Sequence, residues 1–278
     1  MAKRRLFSEI SPLTYEISYH KEVLKRDLQN QFSRRKLAKV DQKTLLPIVL
    51  RKHKSLIRRR LGNVDLQLQE NKAVSLGIAA AKVDHVIIKP GETFSFWHLV
   101  GRPSKRKGYK EGLIISNNKA SSGLAGGMCQ FTNLIHWMIL HSELTIIEHH
   151  HHNSLDLFPD YGRQIPFGTG TSIVYNYLDY RFQNNTKRTY QLIIYTTAEY
   201  LCGELRSDQV EATKVHIYEE EAYFYEKVGQ VFRHNKIYRR VNDKRTGQEI
   251  KNELLLENNS RVVYDRKLID PHLFRNKM

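Results

Sequence analysis

The sequence is poor in cysteine, with only Cys129 and Cys202. Two thiols this far apart make no disulfide framework, and such sparse usage fits a reducing compartment. Long apolar runs are also missing. No stretch of about 18 apolar residues occurs, so no membrane-spanning helix is expected. The opening Met-Ala-Lys-Arg-Arg-Leu-Phe-Ser-Glu is basic but has no apolar run behind it, unlike a secretory signal. The expected location is therefore cytoplasmic, with peripheral contact at the inner membrane face as a variant. There is no internal repeat and no low-complexity linker. Zinc-finger spacing, an RNA-recognition signature and a heptad basic region are all absent, which makes nucleic acid an unlikely partner.

What is present describes a folded protein. The chain has 278 residues, of which 40% are hydrophobic and 27% charged, enough for one large domain or two small ones with a sizeable core. Net charge is +16, and residues 1–60 hold 17 Lys or Arg against five acids. A surplus of 12 in that segment predicts a positive face able to meet an anionic membrane surface, beside the plainer reading of a solvated surface.

The pattern predicts an α+β protein. Residues 8–60 read as mainly helical, broken by Pro12 and Pro47, with Leu45, Leu46, Ile48 and Val49 as an apolar cluster. Ala73, Leu76, Gly77, Ala80 and Val83 recur at helical spacing over 71–86. Val86–Ile88, Thr93–Trp97, Gly112–Ser116 and Leu144–Ile147 read as extended. Gly123–Gly127 reads as a flexible loop leading into Met128–His141, a helix apolar almost all round and so expected at the centre. From Ile165 onward β-branched and aromatic residues dominate, giving strands at 177–183, 191–196, 214–218 and 222–226. Three regions follow: a basic, mainly helical segment 1–60, a core 61–205 built around the buried helix packed on strands, and a β-rich extension 206–278.

Gly126-Gly127-Met128-Cys129-Gln130 carries the clearest chemistry. A Gly-rich loop running into a helix places Cys129 where unpaired amides and the helix dipole favour thiolate. The backbone of 127–130 and the Gln130 amide then read as oxyanion donors, with Gly126 and Gly127 leaving room for a substrate. The base is expected in His149-His150-His151-His152; parity along a strand allows two on one face, with His150 and His152 favoured. His136 lies seven residues after Cys129 on the same helix face, about 10 Å along it, with Asn133 between them. Both read as substrate-binding, as does Trp97. A non-catalytic groove lined by Phe96, Trp97, Trp137 and Tyr175 is the alternative. Cys129 as a simple packing residue is another, and Cys202 reads as core. His149–His152 with Glu148, His141 or Asp156 admits a zinc or nickel reading, but no His-Glu-x-x-His spacing supports it. No metal or cofactor is expected.

Several runs resemble the VanW family, named from an accessory protein of a vancomycin-resistance gene cluster. They include Lys89-Pro90-Gly91-Glu92-Thr93-Phe94-Ser95-Phe96-Trp97, Gly126–Gln130, Asn133–Trp137, Glu148–His152 and Pro166–Gly170. Where the family usually has a further glycine this chain has Ala125, and where it usually has an arginine among the histidines the run is all histidine. The resemblance implies a link to peptidoglycan or its precursors, with a cell-wall precursor as the expected partner, and implies no settled activity.

Overall fold

The computed structural model describes residues 6–58, 65–116, 119–151, 155–157, 159–160 and 163–275. In chain order the helices are α1 (Pro12–Phe32), α2 (Leu66–Val83), α3 (Phe96–Val100) and α4 (Cys129–Leu140). The strands are β1 (Lys39–Val40), β2 (Ile48–Leu56), β3 (Val86–Ile88), β4 (Thr93–Ser95), β5 (Glu111–Ser116), β6 (Lys119–Leu124) and β7 (Thr145–Glu148). They continue as β8 (Leu155–Asp156), β9 (Arg181–Gln183), β10 (Tyr190–Thr196), β11 (Tyr200–Ser207), β12 (Thr213–Lys227), β13 (Gln230–Asp243) and β14 (Glu249–Val262).

Period-two burial in β11 sets the central layer. Leu201, Gly203, Leu205 and Ser207 are buried while their neighbours are partly exposed, so one face of this strand meets the core. β11 sits in a five-stranded sheet of order β1-β3-β10-β11-β2, antiparallel throughout. α4 packs on β2 and β11, and α2 packs on β10. α4 comes close enough that a Cβ at Gly203 would lie 2.6 Å from Met138 Cε and 2.8 Å from Leu134 Cδ2. Phe131, Leu134, Ile135, Met138 and Ile139 are all buried, as the all-round apolar pattern predicts. Each such side chain contributes roughly 1.5–3 kcal/mol. The β4-β9-β7 sheet and the β5–β6 hairpin flank this core, and β12-β13-β14, joined by β8, forms a separate long-stranded sheet. Arg239 on β13 fastens that sheet to α4. Its guanidinium donates to the carbonyls of Leu140 (3.0 Å) and Ser142 (2.6 Å), satisfying acceptors that a helix end leaves open.

The fold class is α+β as expected, with several local departures. The helical reading of 8–60 holds only to Phe32. Ile48–Leu56 is a nine-residue strand instead, because β-branched Ile48 and Val49 begin a segment that completes the edge of β11. The extended reading of 93–97 stops at Ser95, whose hydroxyl accepts from the His98 amide and starts α3. The predicted loop at 123–127 begins inside β6. The two predicted strands at 214–218 and 222–226 are one, β12, with a register shift at Glu221, where φ is +52°.

The α4 approach turn is tightly packed. A Cβ at Gly126 would fall 2.1 Å from the Gly112 carbonyl, which is backbone and cannot swing away. Gly77, in the middle of α2, has only Thr196 Oγ1 at 3.7 Å. Gly126→Ala is therefore expected to lower stability by about 1–3 kcal/mol, and Gly77→Ala to raise it by about 0.5–1 kcal/mol. Urea unfolding of both variants checks this; a neutral Gly126→Ala would mean the turn is open.

Candidate functional site

The turn before α4 holds Ala125 at φ +57° and Gly127 at φ +87°. The left-handed backbone at Ala125 gives a physical reason for a glycine there, since a Cβ is disfavoured in that region. The space beside Gly127 is taken by the Lys72 side chain, whose Cδ would lie 2.4 Å from an added Cβ. With Gly112 beside Gly126, the room expected for a substrate at these two glycines is filled by the protein. The oxyanion reading meets the same difficulty. The Gln130 amide N–H donates to Gly127 O (3.0 Å) and the Phe131 N–H to Met128 O (2.9 Å). The Gln130 side-chain amide donates to Ser55 Oγ (2.9 Å) and Leu56 O (2.8 Å), tying α4 to β2.

Cys129 is partly buried as a residue, but protein crowds its thiol. Burial pushes the thiol pKa up, against a smaller lowering from the Ile173 amide. One turn on, Asn133 Oδ1 accepts from the Thr171 amide (2.6 Å) and hydroxyl (2.9 Å), and Thr171 also shares a hydrogen bond with the Thr132 hydroxyl. His136 is buried, bonds Tyr180 OH through Nδ1 (3.1 Å) and stacks on His149 with ring centroids 4.2 Å apart. Burial, helped by His149 and His151, holds its pKa well below the usual histidine range. His149 Nε2 bonds Gly170 O at 3.0 Å, so the proton sits on Nε2, and burial lowers its pKa as well.

The histidine run thus alternates in the sense opposite to that expected. His149 lies against α4 and His151 stacks 5.9 Å from it, whereas His150 turns to Glu148 at 3.2 Å. Residues two apart share a strand side, and Glu148 already faces Arg26, so His150 goes with it. His152, the other favoured base, lies outside the described residues. A thiolate–imidazolium pair needs a depressed thiol and a raised imidazole. Burial moves Cys129, His136 and His149 the other way. Trp97 is also core: it is buried, its Nε1 donates to Leu178 O (3.0 Å), and its ring meets Tyr175 edge-on at 5.5 Å. Among the described residues no three His, Cys, Asp or Glu side chains are grouped to hold a metal ion.

A cleft of about 330 Å³ opens at the other end of α4, between β2, α4 and β12. Trp137 and His141 line it from α4, Arg51 from β2, and Lys214 and His216 from β12. His141 Nδ1 donates to Trp137 O (2.8 Å), which directs the ring. Its pKa is lowered to about 4, chiefly by burial and further by Arg51, Arg239 and His216. Trp137 belonged to the sequence-derived alternative groove, and His141 only to the metal reading. Arg51, Lys214 and His216 were missed. They stand in no motif, and only the packing of β12 beside β2 brings them together.

Comparison with known proteins fits this scaffold. The family described as VanW like protein matches residues 71–206. The vancomycin B-type resistance protein VanW of Enterococcus faecalis is 32% identical over 225 residues, covering 81% of each chain. The chain belongs to the VanW family. The uncharacterized protein YoaR of Bacillus subtilis is 28% identical over 118 residues, 41% of this chain and 36% of its own. No solved structure matches. The family match spans α2 through β11, so it includes the turn, α4 and the His149 segment after β7, while Arg51, Lys214 and His216 lie outside it.

Two outcomes are expected. Cys129 should alkylate with iodoacetamide no faster than Cys202 at pH 7; preferential labelling of Cys129 at pH 6 would restore the nucleophile. Stability should also fall between pH 7 and 5.5. Unfolded histidines protonate near pH 6.5, whereas folded His136 and His141 resist, so the unfolded chain binds more protons as pH drops through 6.5 towards about 4. A urea midpoint at pH 5.5 equal to or above that at pH 7 contradicts this.

Proposed function

We propose that this VanW-family chain serves glycopeptide resistance as a non-catalytic binding protein at an anionic membrane surface, where it meets a cell-wall precursor. The resistance link rests on the name of the Enterococcus faecalis relative. Support for binding over cysteine hydrolysis comes from the groups above, which are engaged in holding α4.

The observation that carries the membrane reading is the orientation of α1. Ser11 and Thr14 form a capping box and Pro12 opens the helix, so it is well started. Yet no residue of α1 is buried. Its polar side faces the protein: Tyr19 donates to Tyr175 O, Arg26 grips Glu148 through two 2.7 Å bonds, and Asn30 accepts from Arg181 at 2.9 Å. Leu13, Ile17, Leu24, Leu28 and Phe32 fall within about 100° of arc on the opposite side. Leu13 is 69% exposed, Leu24 61% and Phe32 79%. A helix that turns its apolar stripe outward presents it to something other than water. Lys21 lies within that arc and Lys25 borders it, and Arg34, Arg35 and Lys36 follow it, all exposed. That arrangement matches an acyl–headgroup boundary of negative charge, and the lysines disfavour pairing with a second copy of the same face.

Co-sedimentation of the full chain with vesicles tests this. Binding is expected to phosphatidylcholine vesicles containing 30 mol % (about a third) phosphatidylglycerol, and to be weaker without it. Leu24→Asp with Leu28→Asp removes two exposed apolar side chains and should weaken binding roughly tenfold or more. Unchanged vesicle binding by this variant contradicts the reading.

A further inference from the structure

The cleft at the carboxyl-terminal end of α4 has a one-sided charge. Among the described residues, Arg51, Lys52, His141, Lys214 and His216 contribute its ionisable groups and no acid lines it. Lys52 is held by Glu204 at 2.6 Å. Arg51 and Lys214 join no ion pair among the described residues, and Arg51 Nε is enclosed without a hydrogen-bond partner. The acids nearby are held by other groups: Glu204 by Lys52 and Arg206, Glu253 by Arg239 and Lys251, and Glu211 by the Glu143 amide and Tyr190, with Arg51 acting on Glu211 only at longer range. Cations brought together and left unpaired in a concave site are expected to concentrate an anion. The cleft also has one aromatic wall. Trp137 is half-buried, with His141 edge-on to it at 4.5 Å and His53 6.4 Å away. Its volume of about 330 Å³ lies within the range of small-molecule sites.

We propose that this cleft binds a phosphate-bearing small molecule, its anionic group between Arg51 and Lys214 and its sugar or ring on Trp137. A phosphate or diphosphate suits the site better than a single carboxylate, because more than one unpaired cation faces the same space. Arg51 supplies forked donors and Lys214 a point charge. His141, with Nδ1–H committed to Trp137 O, presents Nε2, which donates to the ligand when the ring is protonated. Burial lowers both histidines most; the charged groups that add to it are Arg51, Arg239 and His216 for His141, and Lys214, Arg240 and Arg51 for His216. The arginines and Lys214 are positive and lower both histidines, so a bound anion offsets them and raises both pKa values. The proposal supplies the ligand class for the binding role above and rests on that reading, but its site is separate from α1.

The test uses the full chain, pyrophosphate as probe, and no lipid. The chain has two tryptophans, Trp97 in the core and Trp137 in the cleft. Pyrophosphate should change the fluorescence saturably, and Trp137→Phe should abolish the change. Arg51→Gln with Lys214→Gln should raise the apparent Kd at least tenfold. The equally charge-reducing pair Arg106→Gln with Lys227→Gln, exposed and outside the cleft, should leave it within twofold. In histidine NMR titrations, pyrophosphate should raise the pKa of His141 and His216 in the parent chain but not in the Arg51/Lys214 variant. Absence of saturable binding, or equal weakening by both pairs, overturns the proposal. If pyrophosphate fails while vesicle binding persists, the cleft assignment falls and the membrane reading stands; the reverse result rejects the membrane reading alone.

Discussion

The rest of the structure depends on the enclosure of α4. A helix buried along most of its surface, with only the Cys129–Gln130–Asn133–Trp137 stripe partly exposed, leaves few polar groups to water, so most need a partner within the protein. Gln130 reaches Ser55 and Leu56 on β2, Asn133 holds Thr171, and His136 sits between Tyr180 and His149. Arg239 closes the far end from β13. Through these bonds one helix fixes the positions of β2, the segment at 170–173, the His149 segment after β7 and the carboxyl-terminal sheet. The same enclosure sets the chemistry of Cys129: the dipole of α4 favours thiolate, but desolvation outweighs it.

A second tie works from outside. Glu148 takes Arg26 in a two-bond grip and also accepts the Asp179 amide (3.0 Å) and His150. Asp179, wholly buried, accepts from Ser95, the Trp97 and Tyr180 amides and Arg181. Placing these charges inside α1 leaves its hydrophobic stripe outside. The Arg26–Glu148 pair is only partly buried, so breaking it costs less than the roughly 3–5 kcal/mol of a fully buried pair, and the polar face as a whole holds the inverted helix in place. The unpaired features of the molecule lie elsewhere: the apolar side of α1 and the cations beside Trp137. They are chemically complementary to two parts of one kind of target, a bilayer surface and a phosphate group.

Much of the fold was legible in the sequence because its signals are local. The all-round apolar run at 128–141 gave the central helix, and β-branched and aromatic content gave β10, while β11 was not read as a strand of its own. The β2 strand was not legible: its residues Arg51, Lys52 and Lys54 look like part of a charged helix until β11 is there to pair with them. The site was legible in place but not in role. A glycine run before a cysteine looks the same whether the missing side chains make room for a substrate or for Gly112 and Lys72. Parity along His149–His152 depended on Glu148 facing Arg26, 122 residues away. The Arg51, Lys214 and His216 cluster joins strands more than 150 residues apart, which a single sequence does not reveal.

The central claim is that the polar side chains of α4 are spent on the fold. Asn133 is the sharpest case, since it lies between Cys129 and His136 and would be the natural substrate contact if that face were a reaction site. Its two bonds to Thr171 are each expected to contribute about 0.5–1.5 kcal/mol. Urea unfolding of Asn133→Ala, Thr171→Val and the double variant measures their coupling. The account predicts that Asn133→Ala alone lowers stability by about 1–3 kcal/mol, and that the double variant falls well short of the sum of the two singles. A loss within about 0.5 kcal/mol for Asn133→Ala, with additive singles, would show that this side chain is free for a ligand and contradict the account.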